Sequence, residues 1–165
     1  MTPRTIDQSE AAAEQRVHEL DLELDAEAMA TVGNLFRAAN AIRVHAEERL
    51  LTRRNIAWTD WVVLWVVWLW GEMETREVAA EAGIAKTTLS GVVERLVQAG
   101  WMDRRTHPHD GRRRLVRLTA RGHTLMSELV PRINELEVEA TAALSASQSR
   151  NLSSYLRAVT RRIGV

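Results

Sequence analysis

Residues 75–122 read TREVAAEAGIAKTTLSGVVERLVQAGWMDRRTHPHDGRRRLVRLTARG, and the order of patterns in them specifies a fold. Thr75–Glu81 forms a short helix, and Ala82-Gly83-Ile84 makes a turn whose glycine suits a positive φ after a helix end. Lys86 to Gln98 forms a second helix, closed by Gly100. Its inner face is Leu89, Val92, Val93, Leu96 and Val97, while Thr87, Gly91, Glu94, Arg95 and Gln98 cluster opposite. Helix, glycine turn and amphipathic helix make a helix-turn-helix. Residues 101–105 and 114–118 then read as two strands. His107-Pro108-His109-Asp110-Gly111 lies between them as the turn, the Asp-Gly pair being its strongest signal. A helix-turn-helix followed by a basic hairpin is a winged helix.

On the N-terminal side of this stretch, Trp58 to Trp70 is apolar on every side. At 100° per residue Trp58, Trp61, Trp65 and Trp68 share an arc of roughly 80°, with Val63, Leu64 and Val67 opposite. Such a helix is expected to be buried on every face, between two layers of the molecule. Residues 25–52 hold a helical pattern through Met29, Val32, Leu35, Phe36, Ala39, Ile42, Ala46 and Leu50. That is long for a surface helix of a small domain and suggests one shared with a partner. A helix resumes after Thr119, with Pro131 as an expected kink, and a last one begins at the capping box Ser145–Gln148. Ser9 to Leu24 reads as an acidic helix, and residues 1–8 as a loose end.

The expected architecture is mainly α with a small β-hairpin wing. It comprises an acidic, partly helical extension (1–24), a winged helix-turn-helix for DNA binding (56–118), and dimerisation helices (25–55 and 119–165). In such a fold the second helix enters the major groove and the hairpin follows the backbone, its arginines at or in the adjacent minor groove. Lys86, Thr87, Thr88, Ser90 and Arg95 on the helix, with Arg105, Arg112, Arg113 and Arg114 on the hairpin, are the expected DNA contacts.

Charge fits this reading once its placement is considered. The 165 residues carry 22 basic and 22 acidic side chains, so the net charge is zero. Neutrality here is a sum of opposed blocks. Residues 6–30 hold eight acids against Arg16 alone, a net of −7; residues 104–117 hold six arginines against Asp110, a net of +5. Lys86 is the only lysine against 21 arginines, a ratio that genome composition also produces.

Several function classes are excluded or disfavoured. Without cysteine there are no disulfides, thiolate metal sites or cysteine redox switches. His107-x-His109 lacks a carboxylate triad, so neither a metal nor a cofactor is expected. No nucleophile elbow, P-loop, His-Glu-x-x-His or dinucleotide fingerprint occurs, so the chain is not expected to be an enzyme. The longest apolar run, Trp61 to Trp70, is about half the ~20 residues a bilayer needs. With no signal-peptide core at the N-terminus, the expectation is a soluble cytoplasmic protein without a membrane partner.

Residues 56–122 resemble the winged-helix core of the multiple-antibiotic-resistance regulator (MarR) family of bacterial transcription factors. The resemblance rests on IAWTDWVVLWVV, the helix-turn-helix, and HPHDGRRRLVRLTARG, with Asp110-x-Arg112 its most specific piece. It implies that Asp110 and Arg112 shape the wing and that the flanking helices interlock in a homodimer on an inverted-repeat operator. It further implies repression relieved by a small aromatic or phenolic effector bound between the dimer helices and the winged helix. Trp61 and Trp65 are the candidate wall of that pocket, with Asn40, Arg43 and His45 as polar partners; four aromatics at this spacing equally make a packed core. Two positions depart from the family. Ala85 replaces a capping Ser, Asp or Thr, and Gly91 a larger, often basic residue. With the zero net charge, they support the alternative of a winged-helix ligand- or protein-binding module that recognises no operator.

Overall fold

The computed structural model describes residues 5–20 and 23–164, arranged in two compact units, residues 1–43 and 44–165. The first helix, α1 (Ile6–Glu19), starts three residues before the expected Ser9. Thr5 and Gln8 form a reciprocal capping box there, with the Thr5 hydroxyl accepting from the Gln8 N–H. It ends at the Leu20 cap rather than at Leu24; residues 21 and 22 of that expected helix lie outside the described residues. Asp25 accepts from the Ala28 N–H and opens α2 (Ala26–Ala46). Helical backbone continues through a π-turn (Glu47–Leu51) and a 3-10 turn (Thr52–Arg54), and stops where Asn55 adopts a left-handed conformation at φ 54°. The π-turn coincides with the first core residues of the second unit, Ala46, Leu50 and Leu51.

The second unit is built around α3 (Trp58–Trp70). Val63, Leu64, Val66 and Val67 are buried against α4 (Thr75–Glu81), α5 (Lys86–Gln98) and α6 (Ala120–Thr141). Burial on every face is not what the structure shows. Trp61 is buried, Trp58, Trp65 and Trp68 are half-buried, and Leu69 and Trp70 at the C-terminal end are exposed. The helix runs past the layer that covers it.

Three antiparallel strands, β1 (Met73–Glu74), β2 (Met102–His107) and β3 (Asp110–Leu118), lie in the order β1-β3-β2. The third strand, β1, lacks the length for a recognisable pattern; it pairs Met73 with Val116 and Glu74 with Leu115. The hairpin is also longer than expected. His107 pairs directly with Asp110, which leaves Pro108 and His109 as the loop and puts Asp110-Gly111 at the start of β3. Proline's fixed φ suits the first loop position. At the tip the His109 N–H donates to His107 Nδ1 at 3.2 Å, and the Arg112 N–H to Asp110 Oδ1 at 3.0 Å.

The continuous helix α6 carries Pro131 within it and buries Met126, Leu129 and Ile133. Ser145 and Gln148 cap α7 (Ala146–Ile163) as the sequence predicts. No residue of α7 is buried, and Leu152, Tyr155, Leu156, Val159 and Ile163 stand exposed along it. In the first unit α2 likewise exposes Met29, Val32, Leu35 and Phe36. Among the described residues, no helix is long and apolar enough to cross a membrane.

Candidate nucleic-acid interface

Lys86, Thr87, Thr88 and Ser90 all lie exposed on the first turns of α5. Ala85 supplies no side-chain cap there, leaving the hydroxyls of the first turn and the helix's N–H groups open to an outside acceptor. The buried stripe beneath is Leu89, Val92, Val93 and Leu96; Val97, expected on it, lies beside the stripe and is exposed while its neighbour Leu96 stays buried. A groove of about 200 Å³ joins α5 to the wing. Lys86, Ser90, Arg104 and Arg114 line it together with Thr75 and Arg76 of α4, over a floor of Leu89 and Val93. Four cationic side chains therefore converge across 38 residues of sequence. Thr75 and Arg76 escape a sequence reading because only the packing of the sheet against α4 brings them in, whereas Arg104 belongs to the basic hairpin without being among the expected contacts.

The arginines are not equivalent. Arg95 is held by Asp60 of α3, its Nη2 donating to Oδ1 at 2.6 Å, while Asp60 Oδ2 accepts the Ala57 N–H at 3.0 Å. One buried carboxylate thus caps α3 and fixes α5. Arg105 makes a two-pronged pair with Glu72, Nε to Oε2 at 2.7 Å and Nη2 to Oε1. Arg113 reaches Glu74 at 2.8 Å and Asp110 at 3.1 Å. The carboxylate of Asp110 therefore pairs with the guanidinium of Arg113, and meets Arg112 only through its backbone N–H. Arg114 bonds the carbonyls of Gly111 and Arg113. Among the described residues, Lys86, Arg104 and Arg112 have no carboxylate partner, and they keep the most freely available charge.

Glu74 is the anchor that sequence reasoning missed. It stands at the N-cap of α4 without capping it by its side chain. Its half of the pairing goes to Arg76 at 2.8 Å and to Arg113, so a nearly buried carboxylate ties the wing to the helix-turn-helix. Glu74 and Asp110 together hold the Arg113 guanidinium above its ordinary pKa, the Glu74 hydrogen bond contributing most.

Glu72 connects this network to pH. Hydrogen bonds from Arg105 hold its carboxyl below the ordinary 4.5; partial burial opposes them, and the charges of Arg105, Arg117 and His107 add to them. A depressed folded pKa contributes stability that is complete above the unfolded value and is lost as pH falls through the folded one. Glu72→Gln is accordingly expected to flatten the loss of stability below about pH 4.5. Superimposable acid limbs for the two proteins in urea titrations would mean the pair carries no linkage.

The candidate effector residues are divided between the two units, Asn40 and Arg43 in the first and His45, Trp61 and Trp65 in the second. Asn40 accepts from Arg43 at 2.8 Å within α2 of the first unit. In the second unit Trp61 and Trp65 have ring centroids 5.8 Å apart, and Trp65 stacks on Trp68 at 5.3 Å. Trp61 and Trp65 line a cleft of about 390 Å³ with Val130, Pro131, Asn134 and Glu137 of α6. His45 is turned to Glu139, 3.6 Å away, and does not line that cleft. Among the described residues no cluster of three His, Asp or Glu side chains is arranged to hold a metal ion.

The MarR family model matches residues 56–113. The uncharacterized HTH-type transcriptional regulator YwaE of Bacillus subtilis is 32% identical over 136 residues, 82% of this chain and 80% of that protein. The HTH-type transcriptional repressor IacR of Pseudomonas putida is 29% identical over 122 residues, 71% of this chain and 73% of its own. Among solved structures, BpsR of Bordetella bronchiseptica superimposes with a TM-score of 0.73 at 24% identity, covering 79% of this chain and 98% of BpsR; its DNA binding is regulated by 6-hydroxynicotinic acid.

Proposed function

The chain belongs to the MarR family of winged-helix transcriptional regulators, which are not enzymes, and we infer that it acts as a homodimeric repressor released from its operator by a small aromatic effector. The observation that carries the DNA-contact part is the shared groove, in which Lys86 and Ser90 of α5 face Arg104 and Arg114 of the wing. A phosphate run lying over it meets four cations with hydroxyls between them. Thr87, Thr88 and Ser90 then point toward base edges or phosphates in the major groove, and Arg112 at the hairpin tip toward the minor groove. Arg95, Arg105 and Arg113 take a different part: held by Asp60, Glu72 and Glu74, they fix α5 and the wing in the register that DNA requires.

The unpartnered apolar faces support the dimer. The chain leaves Leu152, Tyr155, Leu156 and Val159 of α7 exposed at helical spacing, one apolar stripe of the kind that a partner surface covers. A twofold axis would set two wings on an inverted repeat with half-sites about one helical turn, roughly 10 bp, apart. The repressor named IacR supports the polarity, and BpsR supports regulation by a ligand.

The test is an anisotropy titration against DNA from upstream of the chain's own gene, over a series of salt concentrations. Arg112→Ala is expected to weaken binding to all sequences and to lower the slope of log K against log salt. The decrease should be about 0.9 for each phosphate no longer neutralised, roughly 1.8 for two wings. A slope equal to that of the unsubstituted protein removes Arg112 from the interface. Failure of the chain to prefer any upstream inverted repeat over random DNA would remove operator recognition altogether.

A further inference from the structure

The cleft beside the tryptophans has a charge preference of its own. Its apolar wall is the indole surface of Trp61 and Trp65 together with Val130 and Pro131. Among the described residues its only charged lining residue is Glu137, and no arginine, lysine or histidine lines it. Asn134 and Glu137 sit three residues apart on α6, and the Asn134 Nδ2 donates to Glu137 Oε2 at 3.0 Å. That bond orients the carboxylate and spends an amide hydrogen of Asn134, and the Glu137 carboxylate keeps its capacity to accept further hydrogen bonds. Two basic side chains of the preceding helical segment, His45 and Arg49, both turn to Glu139, at 3.6 and 3.9 Å.

An aromatic acid placed here would bring its carboxylate to Glu137 with no cation to receive it, and like charges in contact oppose binding. An organic cation meets the reverse situation. The tilted indoles of Trp61 and Trp65, with centroids 5.8 Å apart, are electron-rich π systems of the kind that attracts ammonium and guanidinium groups, the more strongly the further the site is desolvated. A carboxylate beside them adds direct Coulombic attraction, and a volume of about 390 Å³ is in the range of small-molecule sites. We propose that the Trp61–Trp65–Glu137 cleft binds a small organic cation bearing an aromatic or other apolar group, such as a quaternary ammonium or an aromatic amine. This rests on the effector reading above and assigns that aromatic effector a positive charge.

The experiment compares benzyltrimethylammonium with benzoate at equal ionic strength, following tryptophan fluorescence of the full chain. Wild type, Glu137→Gln and Glu135→Gln are titrated in parallel; Glu135 lies on the same helix outside the cleft lining. The cation is expected to quench saturably and to bind several-fold tighter than benzoate. Glu137→Gln should bring the two affinities close together, and Glu135→Gln should leave their ratio unchanged. Benzoate binding as tightly as the cation, or a ratio indifferent to Glu137→Gln, overturns the proposal. If benzoate alone binds and releases DNA, the cation proposal falls and the effector reading stands. If neither probe quenches, the cation proposal and the placement of the effector at these tryptophans fall together. Operator binding is judged separately by the salt titration.

Discussion

Replacing Gly122 by alanine is expected to cost about 3 kcal/mol or more of stability, the upper part of the range for overpacked sites. A Cβ built on Gly122 would lie 2.1 Å from the carbonyl oxygen of Trp101 and 3.3 Å from Leu118 Cδ2. The obstructing atom is backbone, so no rotamer change relieves the contact. That same carbonyl accepts the Thr119 N–H at 3.0 Å, while the Thr119 hydroxyl donates to the Gly100 carbonyl and accepts from the Gly122 N–H. Pushing α6 away from Trp101 therefore breaks the junction where the end of α5, the wing and α6 meet. Gly91→Ala is the matched control. Its Cβ would meet only Arg95 Nη1, at 3.8 Å, and a helix-interior glycine replaced by alanine gains about 0.5–1 kcal/mol from propensity. Urea denaturation at one protein concentration should show opposite shifts in midpoint for the two substitutions. A Gly122→Ala midpoint within error of wild type would mean the first turn of α6 relaxes freely.

The second large effect is at Asp60, which is 4% exposed and accepts two hydrogen bonds. Asp60→Ala leaves the Ala57 N–H without its acceptor and Arg95 without its anchor. The loss expected is about 2–3 kcal/mol, below the value for a fully buried pair because the Arg95 side chain is 54% exposed. Asp60→Ala, Arg95→Ala and the double variant form a cycle, and a coupling of about 1 kcal/mol or more is expected between two residues that touch. Additivity within about 0.3 kcal/mol would show that the two elements are fixed by packing alone. The cycle also separates the two parts Arg95 could play. If it positions α5, the single variants lower stability and DNA affinity together; a base-contacting Arg95 would lose affinity and sequence preference at unchanged stability.

These two sites differ in how far the sequence reveals them. Glycine in LTARG fits the family resemblance, yet nothing local explains it, since Gly122 sits in an ordinary helical turn with no positive φ. The explanation is a backbone 21 residues earlier. Asp60 likewise reads as the acid of a helix first turn, and its second partner is Arg95, 35 residues on. The pairs Glu72–Arg105 and Glu74–Arg113 span 33 and 39 residues. A list of wing arginines taken from sequence therefore mixes side chains committed to carboxylates with side chains that are free.

The local elements and their order are legible in the residues alone. Trp58–Trp70, Thr75–Glu81, Lys86–Gln98 and the capped start of α7 are found at the residues where period and caps place them. Helical periodicity and capping act within one or two turns, so a short window contains their cause. Net neutrality likewise resolves into an acidic end and a basic hairpin without any coordinates. Three outcomes required the folded chain: which charges remain available, the two-residue strand that closes the sheet, and the carboxylate beside the tryptophan stack. Those outcomes depend on distance in space between groups far apart in the chain. Coulombic and packing energies are set by that distance, and linear order does not encode it directly.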